Sequence, residues 1–233
     1  MKVTLKIGGH VFPFPPVIEM VNAYAEVITG LVEEGHSVLA VAGGGEAARK
    51  YIAAARMTGA DEATCDQIGI EISRLNALLL VSKLGAQAYP EVPTTLNEVR
   101  RFHSSGKVVV VGGLSPGHST TAVGALVAEA TRSDIYIISS DVDGIYTADP
   151  KVDRSAKKLD EVTTREVLEM ALAGRCWAGT YALDPIAVKV VERSRIPTYF
   201  INGLDPLNAR RVVEGRRIGT QILTHRDTPN SRI

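Results

Sequence analysis

Cysteine is nearly absent. Cys65 and Cys176 are the only two in 233 residues, far apart and without C-x-x-C or metal-ligand spacing. A disulfide framework and a structural zinc site are therefore not expected, and the pair reads as reduced thiols of a cytosolic protein. No apolar run approaches the roughly 18 to 20 residues that span a bilayer, and a strand pattern starts at the first residues, so a soluble, cytoplasmic chain is expected. Excess charge is missing too, since 26 Lys and Arg face 26 Asp and Glu. That balance gives no reason to expect nucleic acid or a membrane as partner, and any anion site must be local. The sequence carries no G-x-x-x-x-G-K-[ST], and Gly43-Gly44-Gly45 is not G-x-G-x-x-G, which disfavours a P-loop enzyme. The five histidines, His10, His36, His103, His118 and His225, show neither i, i+4 spacing nor acidic companions, so no residue is assigned as a metal ligand.

What is present is an alternation. Short β-branched runs at 3–7, 37–42, 107–112, 134–139 and 198–201 read as strands, the last of them as the final strand. Longer amphipathic stretches at 16–34, 46–57, 61–84, 121–131, 163–172 and 185–193 read as helices. The expectation is an α/β chain folded as a three-layer αβα sandwich with a mostly parallel central sheet. With 45% hydrophobic residues, one core and a single domain over 1–224 are expected, with 225–233 a flexible C-terminal tail. Ile68, Ile72, Leu75 and Leu79 are spaced as an apolar stripe that serves as core or as subunit contact. The one long irregular stretch, 141–158, is expected to have a function.

Three glycine-rich turns follow strands: Gly8-Gly9, Gly43-Gly44-Gly45, and Gly112-Gly113 leading into Pro116-Gly117-His118-Ser119-Thr120. At carboxyl ends of parallel strands such turns let backbone N–H groups approach phosphate oxygens, helped by helix N-termini. Any one of them is also explained as a tight turn; three together point to phosphorylated ligands. Lys6 precedes the first turn, where it reaches either an anion or solvent at the strand end. Arg49 follows the second turn by one helical turn, facing either phosphate or Glu46. His118 has a phosphate contact and a structural role open to it. Asp141, Asp143 and Asp149 follow the fourth strand, where loop chemistry is the competing reading. Cations and glycine amides around a phosphate are what phosphoryl transfer asks of a protein.

Leu5-Lys6-Ile7-Gly8-Gly9, Ala42-Gly43-Gly44-Gly45 and the run from Asp141-Val142-Asp143-Gly144 to Asp149-Pro150 resemble the amino-acid-kinase superfamily in order and spacing. Within it the chain is similar to the archaeal UMP kinases, through Ala48-Arg49-Lys50-Tyr51, Asp66-Gln67-Ile68-Gly69-Ile70, Arg74-Leu75-Asn76-Ala77, the Gly112 to Thr120 run, Ala178-Gly179-Thr180-Tyr181 and Leu183-Asp184-Pro185. The resemblance implies direct, reversible transfer of the γ-phosphoryl group of ATP to UMP in pyrimidine nucleotide biosynthesis, with Mg²⁺ accompanying ATP and a homohexamer built from dimers. It implies that Lys6 and Asp141 are catalytic. Gly8, Gly9, His10, Gly45, Arg49, Ser140, Asp141, Tyr146 and Asp149 would contact ATP. Gly44, Asp66, Leu114, Ser115, Pro116, Gly117, His118, Ser119 and Thr120 would contact UMP, with Asp66 on the ribose and the 114–120 loop on uracil.

Some positions depart from the UMP-kinase pattern. Asp141 stands where UMP kinases commonly carry asparagine and acid kinases of the superfamily carry aspartate; here it would hold Lys6 or approach Mg²⁺. Ser140 replaces a threonine, and His10 replaces a small hydroxyl residue. Asp184 occupies a position where acylphosphate-forming members place a second lysine, which argues for a phosphate acceptor. The alternatives are a kinase of another small acceptor, such as a carboxylate or isopentenyl phosphate, and a noncatalytic nucleotide-binding member.

Overall fold

The computed structural model describes residues 1–148, 153–172 and 184–224. Its strands are β1 (Lys2–Ile7), β2 (Ser37–Ala42), β3 (Val109–Val111), β4 (Ile135–Ser140), β5 (Ile145–Tyr146), β6 (Lys158–Leu159), β7 (Glu161–Thr163), β8 (Thr198–Asn202) and β9 (Thr220–Leu223). Its α-helices are α1 (Ile18–Glu33), α2 (Gly45–Met57), α3 (Glu62–Leu84), α4 (Leu96–His103), α5 (Thr120–Thr131), α6 (Thr164–Leu172), α7 (Pro185–Ser194) and α8 (Leu207–Val213). Seven strands form one sheet in the order β3-β2-β1-β4-β8-β9-β7, and β5 pairs with β6 in a separate hairpin. The pairs from β3 through β8 are parallel, β9 runs antiparallel to β8, and β7 is parallel to β9. Helices cover both faces, as the strand-helix alternation leads one to expect.

Period-two alternation sorts the strands between these layers. In β1, Val3, Leu5 and Ile7 face a core made with Tyr24, Ile28 and Leu31 of α1 and Ala77, Leu80 and Leu84 of α3. Tyr136 and Ile138 of β4 face the other side, against Ala125 of α5 and Val188 and Val191 of α7. Lys6 alternates with these core positions of β1. It lies between Val41 of β2 and Ile138 of β4 in the sheet register. The chain steps outward from β1 through β2 to β3, then returns to place β4 on the other side of β1. The carboxyl ends of β1 and β4 thus form the point where open α/β sheets make a crevice.

The strands at 3–7, 37–42, 134–139 and 198–201 are found within a residue or two, and β3 is shorter than the 107–112 run. Helix α1 begins at Ile18, beyond the 13–16 segment with its three prolines, rather than at Pro16. The run at 198–201 is not the final strand, because β9 follows it. In the described part of 141–158, Ile145, Tyr146 and Lys158 join a short β5–β6 pairing, and the other described residues are irregular. The expected tail, 225–233, lies outside the described residues.

Of the two readings of the apolar stripe on α3, the core reading is excluded. Leu75 is 57% and Leu79 39% exposed, with Ile68 and Ile72 half-buried, so the stripe is not core. The buried face carries Cys65, Ile70, Ser73, Asn76, Ala77, Leu80 and Leu84. The reason is spacing: a Cβ on Gly112 would lie 2.7 Å from the Arg74 nitrogen, and one on Gly113 2.7 Å from Ile70 Cγ1. The helix approaches the strand ends too closely for large side chains to separate them.

The hairpin is tied to the sheet through one hydroxyl. Thr220 Oγ1, on buried Thr220, accepts the Ile145 N–H at 2.8 Å and donates to the Leu159 carbonyl at 2.5 Å. Thr220→Val keeps the shape and strands both partners. Urea denaturation is expected to show a loss of about 2 kcal/mol, and a loss below about 0.5 kcal/mol would contradict the role.

Candidate active site

The glycine turns after β1 and β2 meet backbone to backbone. A Cβ on Gly9 would come within 2.9 Å of Gly45 Cα, and one on Gly45 within 2.1 Å of the Phe12 carbonyl oxygen. Gly45 has φ +68°, a left-handed value that glycine takes without strain. The Gly43 N–H donates to the Ile7 carbonyl at 2.9 Å, which locks the second turn onto the first. Helix α2 starts here with no side chain capping its first turn. Its N-terminal amides therefore give a partly positive rim to an open site.

These turns wall a cavity of about 530 Å³. Lys6, Gly8, Gly9, His10, Gly44, Gly45, Arg49, Asp66, His118, Ser119, Thr120, Ser140 and Asp141 all line it. Leu114 instead packs beside Val109 and Val111, and Ser115, Pro116 and Gly117 are not part of the lining. Tyr146 also lies away from the lining, its hydroxyl donating to Asp143 at 2.7 Å. Asp149 and the 178–181 motif lie outside the described residues.

Lys6 is the electrostatic centre. Burial drives its ammonium down to a pKa of about 8, while Asp141 pulls it back upward. A protonated amine in that setting lacks water and favours an added anion. The Ser140 hydroxyl donates to Asp141 Oδ1 at 3.2 Å, which helps orient the carboxylate. Arg49 supplies a second cation at the cavity wall. The Arg49–Glu46 pairing left open by the sequence is not made: Glu46 pairs with Lys50 at 2.8 Å and accepts the Phe14 N–H at 3.2 Å.

His10 is biased toward its neutral form. Burial lowers its pKa, and its ring lies between Gly8 and Gly203, where a Cβ would stand 2.5 Å from Nδ1 and 2.7 Å from Nε2 respectively. Across the cavity, Asp66 accepts the Gly117 N–H at 2.7 Å, so the 114–120 loop is anchored to α3. Asp184 caps α7 through the Ile186 N–H at 2.8 Å and also takes the Ser119 N–H at 3.3 Å. One carboxylate thus fixes the starts of α5 and α7.

Two site-building residues escape a sequence reading based on apolar periodicity. Asn76 donates to the carbonyls of Gly43 and Gly44 at 2.8 and 3.1 Å, and Ser73 Oγ accepts the Gly113 N–H at 2.7 Å. Both sit on the buried face of α3. The available signal was a Ser and an Asn three residues apart beside glycine-rich turns.

Comparison with known proteins agrees with this geometry. A model of the amino acid kinase family matches residues 1–202. A uridylate kinase of Methanothermobacter thermautotrophicus is 42% identical over 224 residues, covering 96% of this chain and 99% of that protein. One from Methanosarcina acetivorans is 42% identical over 207 residues, covering 88% of each. The crystal structure of uridylate kinase from Archaeoglobus fulgidus superposes with a TM-score of 0.85 at 40% identity, covering 95% of this chain and all of that one (100%).

A buried ammonium should weaken the ligand-free fold. Because its folded pKa of about 8 lies below the unfolded 10.5, the cost is complete below pH 8 and fades as pH rises toward 10.5. Lys6→Met is expected to stabilise the ligand-free protein by up to about 3 kcal/mol at pH 7, the gain vanishing by about pH 10.5. Chemical denaturation across that range checks it; a variant less stable than the parent at pH 7 would contradict it.

Proposed function

From a chain that belongs to the amino acid kinase family, we propose a UMP kinase that reversibly transfers the γ-phosphoryl group of ATP to UMP, giving UDP and ADP. The observation that carries the acceptor is the near-complete match to uridylate kinases at 40–42% identity, over a cavity that keeps a desolvated lysine between glycine turns. Catalysis here is positioning and charge stabilisation. Amides of Gly8, Gly9 and Gly45, with Arg49, hold the ATP phosphates. A UMP phosphate oxygen attacks the γ-phosphorus in line as the bond to the β–γ bridging oxygen breaks and ADP leaves. The Lys6 ammonium stabilises negative charge on the moving group, and Asp141 holds that ammonium protonated and in place.

The remaining assignments follow the same reading. His10 and Ser140 border the ATP phosphates, with Tyr146 and Asp149 toward the adenosine end. Gly44 and Asp66 meet the acceptor with the loop from Leu114 through Ser115, Pro116, Gly117, His118 and Ser119 to Thr120. Asp66 would accept ribose hydroxyls. Asp184 on the cavity wall is a carboxylate where a second lysine would serve acylphosphate chemistry, which favours a phosphate acceptor.

Among the described residues no three His, Cys, Asp or Glu side chains gather to hold a metal. The cavity does hold the Asp141 carboxylate, and one protein carboxylate is the sparse donor set that suits Mg²⁺ arriving on nucleotide phosphates. When bound, the ion would neutralise phosphate charge. No helix among the described residues is long and apolar enough to cross a membrane. A cytoplasmic role in pyrimidine nucleotide synthesis fits these properties. The exposed Leu75, Leu78 and Leu79 face of α3 suits a subunit contact within a homohexamer built as a trimer of dimers.

ADP release with ATP and Mg²⁺ against UMP, CMP, AMP, GMP, glutamate, aspartate and isopentenyl phosphate tests the proposal. UMP is expected to exceed every other acceptor by at least about tenfold in kcat/KM, a gap of about 1.4 kcal/mol. Turnover confined to another acceptor sinks the UMP reading, and none at all returns the chain to nucleotide binding. Asp66→Asn is expected to raise the UMP KM by about tenfold while leaving the ATP KM within about twofold.

A further inference from the structure

Among the described residues only two that are not glycine hold a positive φ, Arg132 at 54° and Arg195 at 56°. Both are arginines. Arg132 closes α5 by donating its N–H to the carbonyls of Ala128 and Glu129, and Arg195 closes α7 through Val191. Glycine would end either helix without strain. Both line one surface cleft of about 350 Å³. That cleft also includes Asp134 and Pro197, just before β4 and β8, and so lies at the end of the sheet opposite the Lys6 cavity. Strained residues gathered at one place point to a function for their side chains.

The charges around the cleft leave these two guanidiniums uncommitted. Arg193 occupies Glu129 through bonds of 2.8 and 2.6 Å. Asp134 accepts the Lys2 backbone N–H at 2.7 Å, and the Lys2 ammonium is bonded to the Thr131 carbonyl. The Ser133 hydroxyl is turned inward onto Thr4 and Thr131. Neither Arg132 nor Arg195 makes a side-chain hydrogen bond or ion pair with another described residue. Of the charged residues that line the cleft, Arg132 and Arg195 stand with Glu129 and Asp134, and Arg193 takes up Glu129 from outside the lining, which leaves the two arginines against Asp134 alone.

We propose that this cleft is a second anion site, in which Arg132 and Arg195 grip a phosphate group carried by a small molecule. Planar guanidinium forks match phosphate oxygens two at a time. The ends of α5 and α7 carry partial negative charge, so the arginines and not the helices must supply the attraction. Ile196 and Pro197 give the rest of the ligand an apolar wall. The two helices also begin together at the Asp184–Ser119 contact, so a ligand here sits at the far ends of the elements that hold the acceptor loop.

Calorimetric titration of pyrophosphate into the full chain, with UMP and a non-hydrolysable ATP analogue saturating, tests the site. Binding is expected to survive the nucleotides and to weaken at least about tenfold in Arg132→Gly/Arg195→Gly. That variant should melt no lower than the parent, since glycine relieves both left-handed residues. Arg132→Lys/Arg195→Lys, which keeps charge and loses the forks, should also bind more weakly. Pyrophosphate displaced by the nucleotides, or bound equally well by both variants, would overturn the proposal. The kinase reading fails separately, on turnover with UMP, and the arginine dependence of pyrophosphate binding is measurable either way.

Discussion

Everything at the active end of this molecule depends on keeping one ammonium group away from water. Lys6 stands among apolar neighbours where β1, flanked by β2 and β4, ends, and its pKa falls to about 8 because burial outweighs Asp141. A charge placed so is a cost to the fold and an attraction for an anion. The surroundings make sense as answers to it: amides freed by glycine turns, an uncapped helix start, Arg49 at the wall and a carboxylate that holds the charge in place. Strain of this kind is what electrostatic catalysis requires, since donors fixed before the reaction need not reorganise during it.

The second constraint is closeness. The glycine turns touch each other backbone to backbone, and α3 rests against Gly112 and Gly113. That closeness decides which face of α3 is inside. Small and polar residues, Ser73, Asn76 and Ala77, fill the narrow contact and hold the turns by hydrogen bonds, while Leu75, Leu78 and Leu79 are pushed outward. The same helix that shapes the cavity thereby leaves a bulky apolar face exposed.

The parallel strands and the glycine turns were readable in the sequence because both signals are local: β-branched runs mark buried strands, and glycines mark close approach. The stripe of Leu75 and Leu79 was legible as a stripe but left open between core and surface, because periodicity reports a stripe and not what it faces. Strands β5, β6 and β7 are too short for any alternation to show, and β9 follows a turn with only four residues. Helix α4, eight residues long, was passed over between loops. Lys6, Arg49 and Asp141 were legible because charge at a strand end or beside glycine is unusual. Ser73 was not, and Asn76 stood only within the Arg74-Leu75-Asn76-Ala77 resemblance without a role, since a polar residue within a helix ordinarily marks the solvent side. The outcome at Glu46, which takes Lys50 in place of Arg49, turned on side-chain geometry that spacing alone leaves open.

The most direct test of this account is an NMR titration of the Lys6 ammonium, with and without ATP and UMP. The account predicts a pKa near 8 in the free protein and a rise of at least about one unit when the phosphates arrive, because an anion stabilises the charged form that burial opposed. A lysine that titrates near 10.5 in the free protein, or does not respond to either nucleotide, would mean that Lys6 is solvated and that the cavity was not built around its charge.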